Sequence, residues 1–322
     1  MVKSNNRRLQ ILSGRHHPEI ARAISIELGK GLCGVELSNF ANGETHVKIM
    51  ESVRGDDVFV IQSHCGNVNE SIMEQAIIID AAKRASAGTI TAVCPFMAYA
   101  RQDRKSGGRE PISARLLVDI LTQAGADRVM SVDLHTGQIQ GFMDGPFDHL
   151  IARPVFVDYI SKHFNPSNLV IVSPDAGRVK SAERYSNSLD CEIAIVHKHR
   201  SNTEHNQVEA RQLIGNVRGK TCILIDDMID TAGTICAAAE LIHKNGAKDV
   251  YGLATHGLFS GPAKERINKS KILKIITTDT LPQDKSFDKV IQLSVAPILA
   301  QAINAVYSFG SISSMFDGDN QY

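Results

Sequence analysis

The chain has 322 residues, more than one domain of ordinary size holds, so two compact domains of about 150 residues each are expected. Its 35 basic residues balance 35 acidic ones and it has no tryptophan, which leaves no electrostatic basis for binding nucleic acid or a membrane surface and points to small-molecule partners. Six cysteines, at 33, 65, 94, 191, 222 and 236, form no C-x-x-C pair, a pattern of reduced thiols rather than of disulfides or zinc. With no apolar leader and no apolar run long enough to span a bilayer, a cytoplasmic location is expected.

In chain order, the runs VFVI (58–61), ITAV (90–93), VMSV (129–132), LVIV (169–172), IAIV (193–196), CILI (222–225) and VYGLA (250–254) read as strands covered on both faces. Helical periodicity fills the gaps, in SIMEQAIIIDAAKRA, ISARLLVDILTQAG, RPVFVDYISKHF and ICAAAELIHKNG. Strands alternating with helices imply right-handed crossovers and a parallel sheet, an α/β fold in which ligands gather beyond the carboxyl ends of the strands. Gly145, Pro146 and Pro154 punctuate the chain, dividing a domain at 1–150 from one at 151–307, with the serine-rich 308–322 as a tail.

The strand ends carry the chemistry. Past ITAV and PFMAYA come Arg101, Gln102, Asp103 and Arg104, where a guanidinium can stack on adenine or hold phosphate, although a lone RQDR also suits a solvated basic loop. His135 and Asp175 stand at the ends of VMSV and LVIV; a single strand-end histidine is more often structural than a ligand. After IAIV, Lys198 and Arg200 alternate and so point to one side of an extended segment, and the polar run beyond them reads as a lid. His197, His199 and His205 make no zinc set of ordinary spacing.

After CILI the chain is expected to turn through Asp226, Asp227, Met228, Ile229, Asp230, Thr231, Ala232, Gly233 and Thr234 and to enter a helix. Backbone N–H groups at a helix start, the hydroxyls of Thr231 and Thr234 and close approach at Gly233 suit a phosphate monoester. Carboxylates repel phosphate, so Asp226 and Asp227 are expected to face sugar hydroxyls or Mg²⁺. A helix cap alone would account for Asp230 or Thr231 and leave the acid pair unexplained.

The stretch ILIDDMIDTAGT resembles the ribose-5-phosphate loop shared by type I phosphoribosyltransferases and ribose-phosphate pyrophosphokinases. FANGETHVKI, ESVRGDDVFVIQS, YARQDRK, REPISARL, VDLHTGQIQGF, IVSPDAG and THGLFSGPA are similar to pyrophosphokinase segments in the family's order, covering Arg8 to Phe316. The resemblance implies two similar domains of the type I phosphoribosyltransferase fold, each a mainly parallel sheet flanked by helices. It also implies Mg²⁺-dependent transfer of the diphosphoryl group of ATP to the 1-hydroxyl of ribose 5-phosphate. The products would be AMP and 5-phosphoribosyl 1-diphosphate, the latter for nucleotide, histidine and tryptophan biosynthesis.

By the same resemblance Arg101, Gln102, Asp103 and Arg104 bind ATP, with Phe40, Asn42 and Glu44 reaching it from a neighbouring subunit of a homo-oligomer, a hexamer in the family. His135 and Asp175 hold Mg²⁺, with Asp133 behind His135; Lys198 and Arg200 grip the diphosphoryl group as charge redistributes. Asp226, Asp227, Asp230, Thr231, Ala232, Gly233 and Thr234 hold ribose 5-phosphate, and Ser52, Arg54, Ser311, Ser313 and Phe316 match an allosteric site for phosphate and ADP. Two departures stand out: Arg178 where many members have the second glycine of DAGG, and Gly107-Gly108 where larger polar residues are common. The alternatives are a type I phosphoribosyltransferase, which needs no RQDR loop or second domain, and a non-catalytic regulatory paralogue, which would have lost residues that are present here.

Overall fold

The computed structural model describes residues 7–200 and 209–316, without the side chains of 198–200 and 209–211. The described residues form two compact units, one within Met1–Ile151, Thr280–Pro282 and Val295–Tyr322, the other within Ala152–Asp279 and Gln283–Ser294. No described helix is long and apolar enough to cross a membrane. The six cysteines are free, and Cys33, Cys65, Cys94 and Cys222 are buried.

The first unit runs β1 (Leu9–Ser13), α1 (Pro18–Glu27), a hairpin of β2 (Val35–Asn39) and β3 (Thr45–Ile49), β4 (Asp57–Ile61), α2 (Val68–Arg84), β5 (Thr89–Cys94), α3 (Ser113–Ala124), β6 (Arg128–Val132) and β7 (Phe147–Leu150). Its sheet has the order β1-β4-β5-β6-β7, parallel throughout. All five residues of β4 and the last five of β5 are buried, which is why they appear in the sequence as unbroken apolar runs. α2 presents Ile72, Ala76, Ile79 and Ala82 to the interior at helical spacing; each buried isoleucine stabilises the fold by about 2 kcal/mol. α3 stops at Gly125, whose φ of 127° only glycine adopts readily.

The second unit continues with α4 (Arg153–His163), β8 (Leu169–Ser173), α5 (Val179–Leu189), β9 (Glu192–Arg200), β10 (Glu209–Ile214), β11 (Thr221–Ile229), α6 (Gly233–Lys244), β12 (Asp249–Gly257), α7 (Ala263–Lys269), β13 (Ile272–Thr278) and β14 (Val290–Leu293). Its sheet has the order β10-β9-β8-β11-β12-β13-β14, parallel except for β9 against β10. Val170, Val172, Cys222, Leu224, Val250 and Ala254 pack there with Ile235, Ala239 and Ile242 of α6.

The final helix, α8 (Ala296–Tyr307), goes with the first unit, whereas the linear reading placed it in the second half. It packs on α1, with Leu299 and Ile303 buried like Ile20 and Ile24, and the Tyr307 hydroxyl donates to the Arg7 carbonyl at 2.8 Å. A second difference is local. β11 does not end with CILI but continues to Ile229, pairing Asp226 with Ala254 and Met228 with His256. The acid pair therefore lies within a strand, and the expected nine-residue turn shrinks to Asp230–Ala232.

Candidate active site

The order of the second sheet reverses between β8 and β11: from β8 the chain moves to β9 on one side, and from β11 to β12 on the other. Crossovers leaving in opposite directions open a crevice beyond the carboxyl ends of these two strands. Asp175 lies two residues past β8, exposed, with Oδ1 accepting from the N–H groups of Gly177 at 2.8 Å and Arg178 at 3.2 Å. That cap starts a short 3-10 turn and sends Arg178 across the reversal. Its Nε lies 3.2 Å from Asp226 Oδ1, and its Nη2 2.6 Å from Asp227 Oδ1.

The Asp227 N–H also donates to Asp226 Oδ1 at 2.9 Å. Burial first, then the Asp227 charge, pushes the Asp226 carboxyl well above the usual carboxylate range. Burial works against the charge on Arg178, but Asp227 and then Asp226 outweigh it and raise its pKa, so the guanidinium stays cationic.

β11 leads directly into a tied loop. Ile229 O accepts from Leu258 N at 2.9 Å and from Phe259 N at 3.1 Å, and Asp230 O accepts from Ser260 N at 3.0 Å. Ala232 is buried with a φ of 60°, a left-handed conformation that costs a non-glycine residue about 1–2 kcal/mol. Its carbonyl accepts the first helical bond, from Cys236 N, and as the N-cap residue it supplies no side-chain cap to α6. The N–H groups of the first turn have no partner inside the helix. Thr231, Gly233 and Thr234 are exposed beside them. Arg266, which the sequence reading did not single out, donates from Nη1 to Thr231 O at 3.0 Å.

In the first unit, RQDR follows a segment held by buried polar groups. His64 donates its N–H to Phe96 O and accepts from Ala98 N at Nδ1, 3.2 Å away, while its Nε2 lies 2.9 Å from Gln75 Oε1. Burial pushes His64 down to about 4, so it is neutral, with the proton on Nε2. Gln102 Oε1 accepts from Ser113 Oγ at 2.7 Å. Asp103 is only 6% exposed, and its Oδ2 accepts from Thr136 Oγ1 at 2.6 Å and Gln138 Nε2 at 2.5 Å. Its carboxylate anchors the loop internally, whereas Arg101, Gln102 and Arg104 are exposed.

Phe40, Asn42 and Glu44 lie at the exposed turn of the β2–β3 hairpin, where Phe40 stacks edge-on against His46. His135 is half-buried past β6, after Asp133 with its φ of 39°. Ser52, Arg54, Ser311 and Ser313 are exposed and Phe316 is buried. His135 belongs to the first unit and Asp175 to the second. Lys198 and Arg200 lie opposite Arg211 and Glu209 in the β9–β10 ladder. Their side chains, and the expected lid at 201–208 with His205, lie outside the described residues.

Among the described residues no three His, Cys, Asp or Glu side chains converge as a metal cage. Mg²⁺ is ordinarily held by one or two carboxylates together with substrate phosphates, and the exposed Asp175 fits that mode.

Fold and strand reversal thus define an α/β protein with a candidate site for a phosphate and its neighbouring hydroxyls. Residues 9–125 match the N-terminal domain of ribose phosphate pyrophosphokinase, and residues 211–317 match the phosphoribosyl synthetase-associated domain. The chain is 51% identical over 316 residues to a ribose-phosphate pyrophosphokinase of Streptomyces avermitilis, covering 98% of each chain. It is 51% identical over 319 residues to one of Corynebacterium glutamicum, again covering 98% of each. The crystal structure of phosphoribosylpyrophosphate synthetase from Mycobacterium smegmatis matches with a TM-score of 0.89 at 50% identity, covering 94% of this chain and 100% of that one. The chain belongs to the ribose-phosphate pyrophosphokinase family.

Proposed function

We propose that the protein transfers the diphosphoryl group of ATP to the 1-hydroxyl of ribose 5-phosphate. The sugar oxygen bonds to the β-phosphorus, the bond between that phosphorus and the α–β bridging oxygen breaks, AMP leaves, and the hydroxyl proton is released. The observation that carries this reading is the second unit's strand reversal, where two carboxylates stand beside an uncapped helix start in a chain of this family. The 5-phosphate is received by the first-turn N–H groups of α6 with Thr231 and Thr234, together with Asp230, Ala232 and Gly233 of the same loop. Asp226 and Asp227 accept hydrogen bonds from the ribose hydroxyls, orienting the ring and easing loss of the proton.

Arg101, Gln102 and Arg104 hold the nucleotide, Asp103 fixes their loop, and Phe40, Asn42 and Glu44 complete the pocket from a second copy in a hexamer. Lys198 and Arg200 stabilise the charge that builds up on the migrating group. His135 and Asp175 are each proposed as a ligand for Mg²⁺, and the ion would supply positive charge to the phosphate oxygens. Ser52, Arg54, Ser311, Ser313 and Phe316 form a site for phosphate and ADP, and the enzyme works in the cytoplasm. The test is product identity: ATP, Mg²⁺ and ribose 5-phosphate should yield AMP and sugar diphosphate in equal amounts. ADP in place of AMP, or no turnover as a regulatory paralogue requires, would reject the reading.

A further inference from the structure

The acid pair already has a cation, and the chain itself supplies it. Arg178 comes from the turn after β8 and reaches carboxylates on β11, so one guanidinium ties together the two strand ends at the reversal. A guanidinium keeps its charge at every working pH and offers planar, directed donors, here Nε to one carboxylate and Nη2 to the other. Both bonds use Oδ1, so the guanidinium fixes where each carboxyl group points. A divalent ion brought to the same two carboxylates would meet a fixed positive charge within hydrogen-bond distance of each.

We propose that Arg178 is a positioning residue that makes Asp226 and Asp227 a hydroxyl-accepting site rather than a divalent-cation site, so that ribose 5-phosphate binds here without metal. This rests on the assignment of residues 226–234 to ribose 5-phosphate. Arg178 holds both carboxyl groups in one geometry and offsets part of their negative charge. A glycine at this position leaves that compensation to an ion from solution.

The test is calorimetric titration of ribose 5-phosphate into the full chain, in EDTA and in Mn²⁺, with free Mn²⁺ counted by its paramagnetic resonance signal. The wild type should bind equally well in both. Arg178→Gly should bind about tenfold more weakly in EDTA, recover in Mn²⁺, and take up one more Mn²⁺ per chain. Arg178→Lys, which keeps the charge but not the two-carboxylate bridge, should lose about threefold in EDTA and gain no Mn²⁺. If Arg178→Gly melts before titration, Arg178→Lys against wild type carries the comparison. Wild-type-like binding by both variants in EDTA overturns the proposal for Arg178 alone. Unchanged ribose 5-phosphate binding by Thr231→Val/Thr234→Val overturns the site assignment, and the proposal with it.

Discussion

The two units build similar parallel sheets but treat their strand ends differently. In the first, strand order rises steadily from β1 to β7, and buried polar groups beyond β1 and β4 are satisfied from within. Glu74 is fully buried and accepts from Arg15 N at 2.7 Å, Arg15 Nε at 2.5 Å and Gln62 Nε2 at 2.8 Å, while Gln75 and neutral His64 complete the network. In the second the order reverses, and at the reversal two carboxylates share one guanidinium beside an uncapped helix start. A closed network fixes the backbone that carries RQDR, whereas an acid pair held by one guanidinium at a strand reversal is suited to a ligand.

The largest expected effect bears on catalysis in the second unit. Lys198→Ala should lower kcat by about 10²–10³-fold and change the KM for ATP by less than about threefold, because the proposed contact would strengthen in the transition state. Steady-state kinetics that show a near-normal kcat with a raised KM would remove Lys198 from that role.

Next in size is the internal network of the first unit. Glu74→Ala leaves Arg15 and Gln62 facing an empty buried position and should destabilise that unit by about 3 kcal/mol, read from hydrogen exchange in β4 and α2, with ribose 5-phosphate affinity unchanged. The same network makes the first unit acid-labile. Burial raises the Glu74 pKa, but bonds from Arg15 and then Gln62 more than reverse this, and burial lowers His64 to about 4. Both shifts are downward, so their stabilisation is present above the unfolded pKa values and is lost as pH falls through the folded ones.

At the proposed phosphate loop, Thr231→Val/Thr234→Val should raise the KM for ribose 5-phosphate about tenfold and leave that for ATP alone. The smallest effect has the opposite pH sign to the first unit. Asp226 is raised, so its contribution is present at acid pH and declines as pH climbs from the ordinary carboxylate range through the raised value. Asp226→Asn should flatten that decline, on the order of 1 kcal/mol, in denaturant melts of the second unit between pH 5 and 8.

Much of this was legible in the sequence wherever burial is two-sided. All seven apolar runs are strands; most are covered on both faces and leave an unbroken hydrophobic signature, whereas Ile193 and Ile195 of β9 are only half-buried. β1 and the mostly polar hairpin β2–β3 lack that signature, and so does α5, which buries only Ala182, Tyr185 and Leu189. The extension of β11 was hidden because Asp226 and Asp227 look like turn residues; pairing with β12 overrides that preference. The packing of α8 on α1 joins chain segments far apart in sequence, which no local pattern encodes. In the site, the motif located the loop but not what holds it. Arg178 and Asp226 are 48 apart in sequence number, and Arg266 and Thr231 are 35 apart. Asp103 was grouped with its exposed neighbours because a motif does not distinguish a side chain turned inward.

The central claim, that the second unit's strand reversal receives the sugar phosphate, is tested most directly by hydrogen exchange with ribose 5-phosphate alone. The account predicts slowed exchange at the amides of 230–236, with β4, β5 and the RQDR loop unchanged. Protection confined to the first unit, with 230–236 exchanging as in the free protein, would contradict it.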